Sequence, residues 1–175
     1  SDNLQDWIDQ ARAFGHEVLL EIPMEGQNGQ ADTQTLAASV SPDVNRRRLH
    51  QTLAKAQGYI GITHYQGDVF LRRTDAVSPI LTELKSSGLA LFTDGSFEAP
   101  SLAPTARNLQ VPYRSGFGLI DPVASEKVIE ARLNGLANAA KARPALVGIG
   151  FAYPQTIDAV RRWVQGLDDD GLILV

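Results

Sequence analysis

Val77-Ser78-Pro79-Ile80-Leu81-Thr82-Glu83-Leu84-Lys85-Ser86-Ser87-Gly88-Leu89-Ala90-Leu91-Phe92-Thr93 is the stretch that decides the fold. Val77, Ile80, Leu81 and Leu84 recur at spacings of three and four, the stripe of a helix with one buried face. Gly88 follows, where the chain turns left-handed after a helix and any other residue would bring a Cβ clash. The run Leu89-Ala90-Leu91-Phe92-Thr93 is then apolar almost throughout instead of alternating. That is expected of a parallel strand covered on both faces.

The same order of helix, glycine or proline, and strand runs through the rest of the chain. Gly15 precedes Glu17-Val18-Leu19-Leu20-Glu21-Ile22, and Gly58 precedes Tyr59-Ile60-Gly61-Ile62-Thr63. Pro144 precedes Ala145-Leu146-Val147-Gly148-Ile149, and Gly171 precedes Leu172-Ile173-Leu174-Val175. A further strand is expected near Gly118-Leu119-Ile120.

Leu4, Trp7, Ile8 and Ala11 mark the first helix, and Ser41-Pro42 starts the second as N-cap and first-turn proline, with Val44, Leu49, Leu53 and Ala56 as its stripe. Ser101 and Ser125 cap two more; Val128, Ile129, Leu133, Leu136 and Ala140 are the inward residues of the longer one. In the last, over 155–166, Ile157, Val160, Trp163 and Val164 are expected inward. Alternating strands and helices predict an α/β fold with a mostly parallel sheet and right-handed crossovers. The period alone leaves an open sheet and a closed barrel both standing. The long polar segment 23–38 reads as a functional or mobile loop, because the alternation resumes directly after it.

The 175 residues fit one domain, and 43% apolar with 21% charged composition is ordinary for a globular chain. No apolar run reaches the length of a membrane span. A net charge of -4 argues against a nucleic-acid partner, and Arg46-Arg47-Arg48 lies within a helical pattern as a solvated face. The absence of cysteine excludes disulfides, thiolate metal sites and a cysteine nucleophile. No Gly-x-Ser-x-Gly elbow or glycine-rich phosphate loop occurs. Ser1-Asp2-Asn3 reads as a helix cap with no strand before it, and Val175 as a strand cut short; both suggest a fragment.

Binding groups in parallel α/β folds gather where strands end. The predicted ends offer Glu21, Met24 and Glu25; Thr63, His64 and Tyr65; Thr93, Asp94 and Ser96; Asp121; and Phe151 with Tyr153. Each also has a structural reading. Asp94 suits a cap of the turn Asp94-Gly95-Ser96, Asp121 a loop cap before Pro122, Glu21 a surface ion pair, and His64 a hydrogen-bonded structural imidazole. His16 and His50 fall at the opposite edge of the sheet and within a helix.

Taken in order, Gly15-His16-Glu17-Val18-Leu19-Leu20-Glu21-Ile22-Pro23-Met24-Glu25, Gly58-Tyr59-Ile60-Gly61-Ile62-Thr63-His64-Tyr65-Gln66-Gly67, Gly88-Leu89-Ala90-Leu91-Phe92-Thr93-Asp94, Ile120-Asp121 and Gly148-Ile149-Gly150 with Pro154-Gln155-Thr156-Ile157 resemble the divergent polysaccharide deacetylases. The resemblance covers nearly the whole chain. It implies an irregular (β/α) barrel, with residues 1–175 a single partial domain that lacks an N-terminal strand ending in paired aspartates. It further implies a periplasmic or cell-envelope location and a glycan or polysaccharide substrate. The implied chemistry is metal-dependent hydrolysis of N-acetyl groups: a metal polarises the carbonyl and activates water, and a carboxylate acts as base.

Residue by residue, the resemblance makes Asp94 and Asp121 the catalytic candidates, with Asp94 first for the base. Glu21 and His64 are the metal candidates, and Glu25, Tyr65 and Tyr153 the substrate contacts. Family members place histidines at the positions of Glu21, Tyr65 and Phe151, and all three are replaced here. His64 stands one residue from the family's ligand, so its side chain should start on a different heading. A carboxylate-rich divalent site is compatible with Glu21; tight zinc is not expected of three scattered histidines. The alternative is a non-catalytic glycan-binding or scaffold protein of the envelope on the same fold, and a third reading is an unrelated, phosphate-binding α/β enzyme.

Overall fold

The computed structural model describes residues 3–27, 32–143, 145–167 and 171–174. They form two compact units, one of Ser1–Thr93 with Phe97–Arg114, the other of Asp94–Ser96 with Ser115–Val175.

The first unit opens with α1 (Leu4–Ala13), then alternates β1 (Leu19–Met24), α2 (Pro42–Leu53) and β2 (Gly61–Gln66). A 3-10 turn over Phe70–Arg72 leads to α3 (Thr74–Ser86), β3 (Ala90–Thr93), α4 (Leu102–Asn108) and β4 (Tyr113–Ser115). The four strands lie in the order β1-β2-β3-β4. β1 pairs parallel to β2, with Leu20 beside Ile62 and Ile22 beside His64, and β2 pairs parallel to β3, with Ile62 beside Leu91. Leu20, Ile22, Met24, Ile62 and Leu91 therefore share one sheet face. That face packs into a core with Val77, Ile80, Leu81 and Leu84, the stripe expected for α3.

Gly88, at φ +68°, ends α3 in the left-handed conformation its position called for. Gly61 answers a different need: a Cβ there would lie 2.5 Å from the Ala90 carbonyl oxygen, so the parallel ladder to β3 requires its absence.

The segment 23–38 is tied at both ends. Met24 bridges Leu36, the Leu36 N–H donates to the Pro23 carbonyl, and Leu36 is fully buried. Asp32 closes a turn by accepting from the Gln34 N–H and from the Thr35 N–H and hydroxyl, each at 2.8 Å. The Thr35 hydroxyl, then the Gln34 amide, hold the Asp32 carboxyl below the usual carboxylate range. Asn45 of α2, itself buried, grips Ala37 from both sides: its side chain accepts from the Ala37 N–H at 3.0 Å and donates to the Ala37 carbonyl at 2.9 Å.

The second unit holds β5 (Gly118–Leu119), α5 (Glu126–Ala140), β6 (Gly148–Ile149) and α6 (Pro154–Val164). β5 and β6 pair parallel, and Ile120, Ile129, Leu133 and Ala159 make its core.

Several elements differ from expectation. The strands expected at 17–22 and 59–63 start two residues later, at Leu19 and Gly61, and continue to Met24 and Gln66. The strand at 145–149 shortens to Gly148–Ile149, and residues 172–174 form no ladder; Pro144 and Val175 lie outside the described residues. The face of α1 is narrower than its stripe: Ile8 is buried, meeting Gly58, while Trp7 is 67% exposed. In α6 the buried residues are Thr156 and Ala159, with Val160 and Trp163 packed beside them and Ile157 exposed. A polar residue turns inward there because a buried carboxylate receives it.

Asn45→Ala takes the acceptor from the buried Ala37 N–H and leaves the Ala37 carbonyl only its 3.3 Å bond from the Val40 N–H. It is expected to cost about 2–4 kcal/mol in urea unfolding, with Asn45→Asp in between because it keeps the acceptor and loses the donor.

Candidate functional site

The sites proposed from strand ends fall into both units. In the first, the register sets the headings. Glu21 pairs with Thr63 and Tyr65 follows two residues on, so Glu21, Thr63 and Tyr65 share one face. His64 pairs with Ile22 and points to the other, core-packed face. Glu21 is exposed and Tyr65 is 57% exposed, whereas His64 is 7% exposed.

The imidazole of His64 is well occupied. Its Nδ1 lies against the Gln66 carbonyl, an acceptor, so that nitrogen carries a proton. The ring meets Phe97 edge-on at 5.2 Å, and the Arg72 guanidinium stands 5.7 Å over the same phenyl ring. Gln66 takes a left-handed φ of +61° at the end of β2, followed by Gly67 at +92°. That turn lets its carbonyl fold back toward the imidazole. Glu25 is half-buried and anchors loops: its Oε2 accepts from the Ala38 N–H at 2.6 Å, and its carbonyl accepts from the Val69 and Phe70 N–H groups at 3.1 Å.

In the second unit, Asp94 accepts from the Ser96 N–H at 2.8 Å, the turn-cap geometry. The turn is tightly seated, since a Cβ on Gly95 would lie 2.3 Å from the Gly116 carbonyl oxygen. Asp121 follows β5 and Ile120 and is buried. Its Oδ2 accepts from the Phe151 N–H and the Thr156 hydroxyl, each at 2.8 Å, and its Oδ1 is buried with no hydrogen-bond partner among the described residues. Phe151 and Tyr153 are 53% and 46% exposed, with ring centroids 5.6 Å apart and planes tilted by 42°. Tyr153 is the N-cap residue of α6 and Pro154 its first residue.

Thr156 is the residue that sequence reasoning left without a role. The signal was available in outline: a threonine in the first turn of a helix that follows a strand, with an aspartate at the end of the neighbouring strand.

The family model of the divergent polysaccharide deacetylases matches residues 1–175. The chain belongs to that family. A crystal structure of an uncharacterized protein from Agrobacterium tumefaciens C58 superposes with a TM-score of 0.87 at 29% identity, over 97% of this chain and 70% of that one. No curated protein matches the chain. The α/β fold with parallel strands is thereby shared with a solved structure.

For a divergent polysaccharide deacetylase, the arrangement on β1 and β2 bears on the metal that the family implies. Glu21 and His64 do not fit a single ion, because they leave opposite faces of one sheet. Among the described residues, no three histidine, aspartate or glutamate side chains form a group able to hold a metal ion. Tyr65 does share the face of Glu21.

The combined Glu21→His and Tyr65→His substitutions put two imidazoles on one face. Zinc affinity by calorimetry at neutral pH is expected to rise at least about tenfold over the unmodified chain. Adding His64→Ala should leave that gain intact; its loss would make His64 a ligand.

Proposed function

We propose that this divergent polysaccharide deacetylase homologue works on the glycan of the cell envelope, periplasmic in the organisms that have one, by holding an N-acetylated strand rather than by metal-dependent hydrolysis of it. The observation that carries the reading is the exposed pair Phe151 and Tyr153, 5.6 Å apart, at the C-terminal end of β6. Exposed aromatic faces give the apolar C–H side of a pyranose ring a flat surface to lie on. Tyr65 adds a further exposed ring in the first unit. Family membership supports the carbohydrate partner.

The opposite headings of Glu21 and His64 favour binding over metal-assisted chemistry. A second reading, hydrolysis of the N-acetyl amide with Asp94 or Asp121 as the acidic group, draws on their match to acidic family positions. The two are separable in one set of measurements. Among the described residues no helix is long and apolar enough to cross a membrane.

Calorimetric titration with chitotetraose, a β-linked N-acetylglucosamine tetramer, is expected to give binding that chelator leaves unchanged, with no acetate release on adding zinc, cobalt or manganese. Phe151→Ala and Tyr153→Ala should each weaken binding roughly five- to tenfold. Metal-dependent acetate release would restore the hydrolase reading; absence of binding to chitotetraose and to isolated peptidoglycan alike would defeat both.

A further inference from the structure

Behind the exposed ring pair of the second unit sits a carboxylate that solvent barely reaches. Asp121 is 3% exposed. Its Oδ2 takes two donors, the Phe151 N–H and the Thr156 hydroxyl, at 2.8 Å each. Those donors bracket the segment that carries Tyr153 and opens α6 at Pro154. One oxygen thus pins both ends of a six-residue turn.

The packing around it is as close as the hydrogen bonding. A Cβ on Gly150 would lie 3.0 Å from the Ile120 side chain and 3.3 Å from the Thr156 methyl group. A side chain at Gly150 would need the Ile120 side chain and the Thr156 methyl group to give by a few tenths of an ångström. Oδ1 is enclosed as well, with no partner among the described residues. A general base has to come within hydrogen-bond reach of the proton it removes, and a carboxylate enclosed in this way is turned toward the protein.

We infer that Asp121 is a positioning residue: it fixes the turn from Phe151 to Thr156 against the end of β5 and so holds the Phe151 and Tyr153 rings in place for a sugar. This rests on the glycan-binding reading above and gives the site its support.

The test compares Asp121→Asn and Asp121→Ala by chitotetraose calorimetry and by amide hydrogen exchange. Asn keeps an oxygen that accepts both donors while removing the charge. It is expected to bind within about threefold of the unmodified protein, with the Phe151 amide still protected. Ala removes the acceptor; affinity should fall by at least about tenfold, and the Phe151 amide should exchange at least about tenfold faster while α3 amides stay unchanged.

An Asn variant that loses binding with the Phe151 amide still protected would overturn the inference, because the charge itself would then be in contact with ligand. Unchanged affinity and exchange in the Ala variant would overturn it equally. If the unmodified protein binds neither chitotetraose nor isolated peptidoglycan, the glycan reading fails and exchange at Phe151 alone decides the role of Asp121. If the Ala variant does not fold, Thr156→Val takes its place. It keeps one of the two bonds and is expected to weaken binding severalfold, and no loss would count against the inference.

Discussion

The six-residue parallel pairing of β1 with β2 constrains everything else in the first unit. Leu20 beside Ile62 and Ile62 beside Leu91 put one row of apolar side chains onto the α3 stripe. The side-chain period of a strand is two, so a slip of one residue would send Leu20, Ile22 and Met24 to the other face and bring Glu21 into the core. The burial of those three, nearly complete, makes that slip costly. His64 therefore has no choice of heading. It goes with Ile22 into the packed side, and the polarity it carries is met there by the Gln66 carbonyl and the edge of Phe97.

The molecule uses its buried polar groups to secure irregular backbone. Asn45 imitates a strand partner for Ala37, so a loop residue finds a donor and an acceptor on one helical side chain. Glu25 closes the same loop through the Ala38 N–H, and its carbonyl receives the start of the 3-10 turn. Asp121 does the same for the turn into α6. A buried carboxylate or amide that satisfies backbone donors loses less by desolvation than one without partners, and it removes orphan donors that no regular element could serve. Glu25, Asp94 and Asp121 are thus drawn into loop geometry, while Glu21 stays exposed.

This explains what could and could not be read in advance. The α3 stripe was legible because all four of its inward residues are large and apolar, and the helix is buried on one clean face. The parallel α/β class followed from strands that are apolar almost throughout. The inward face of α6 was misplaced by about one residue because Thr156 is inward for a polar reason, and polarity-based periodicity assigns such a residue outward. β4 and the 3-10 turn carried no pattern, since three residues are too few for a period to show. Among the site residues, the different heading of His64 was foreseeable from the one-residue offset. The roles of Glu25 and Asp121 were not, because they depend on backbone donors from segments 13 to 30 residues away.

A one-residue offset decides which face of the sheet an imidazole can serve. Histidine at the position of Tyr65 would stand on the face of Glu21; histidine at 64 stands on the face of Ile22. Residue content is nearly conserved by such a change, and geometry is not. In the core the imidazole is held by the Gln66 carbonyl and the Phe97 ring. The open face is then left with a carboxylate and an exposed phenol, Glu21 and Tyr65, which suit hydroxyl and ring contacts better than they suit a divalent ion that needs several convergent donors.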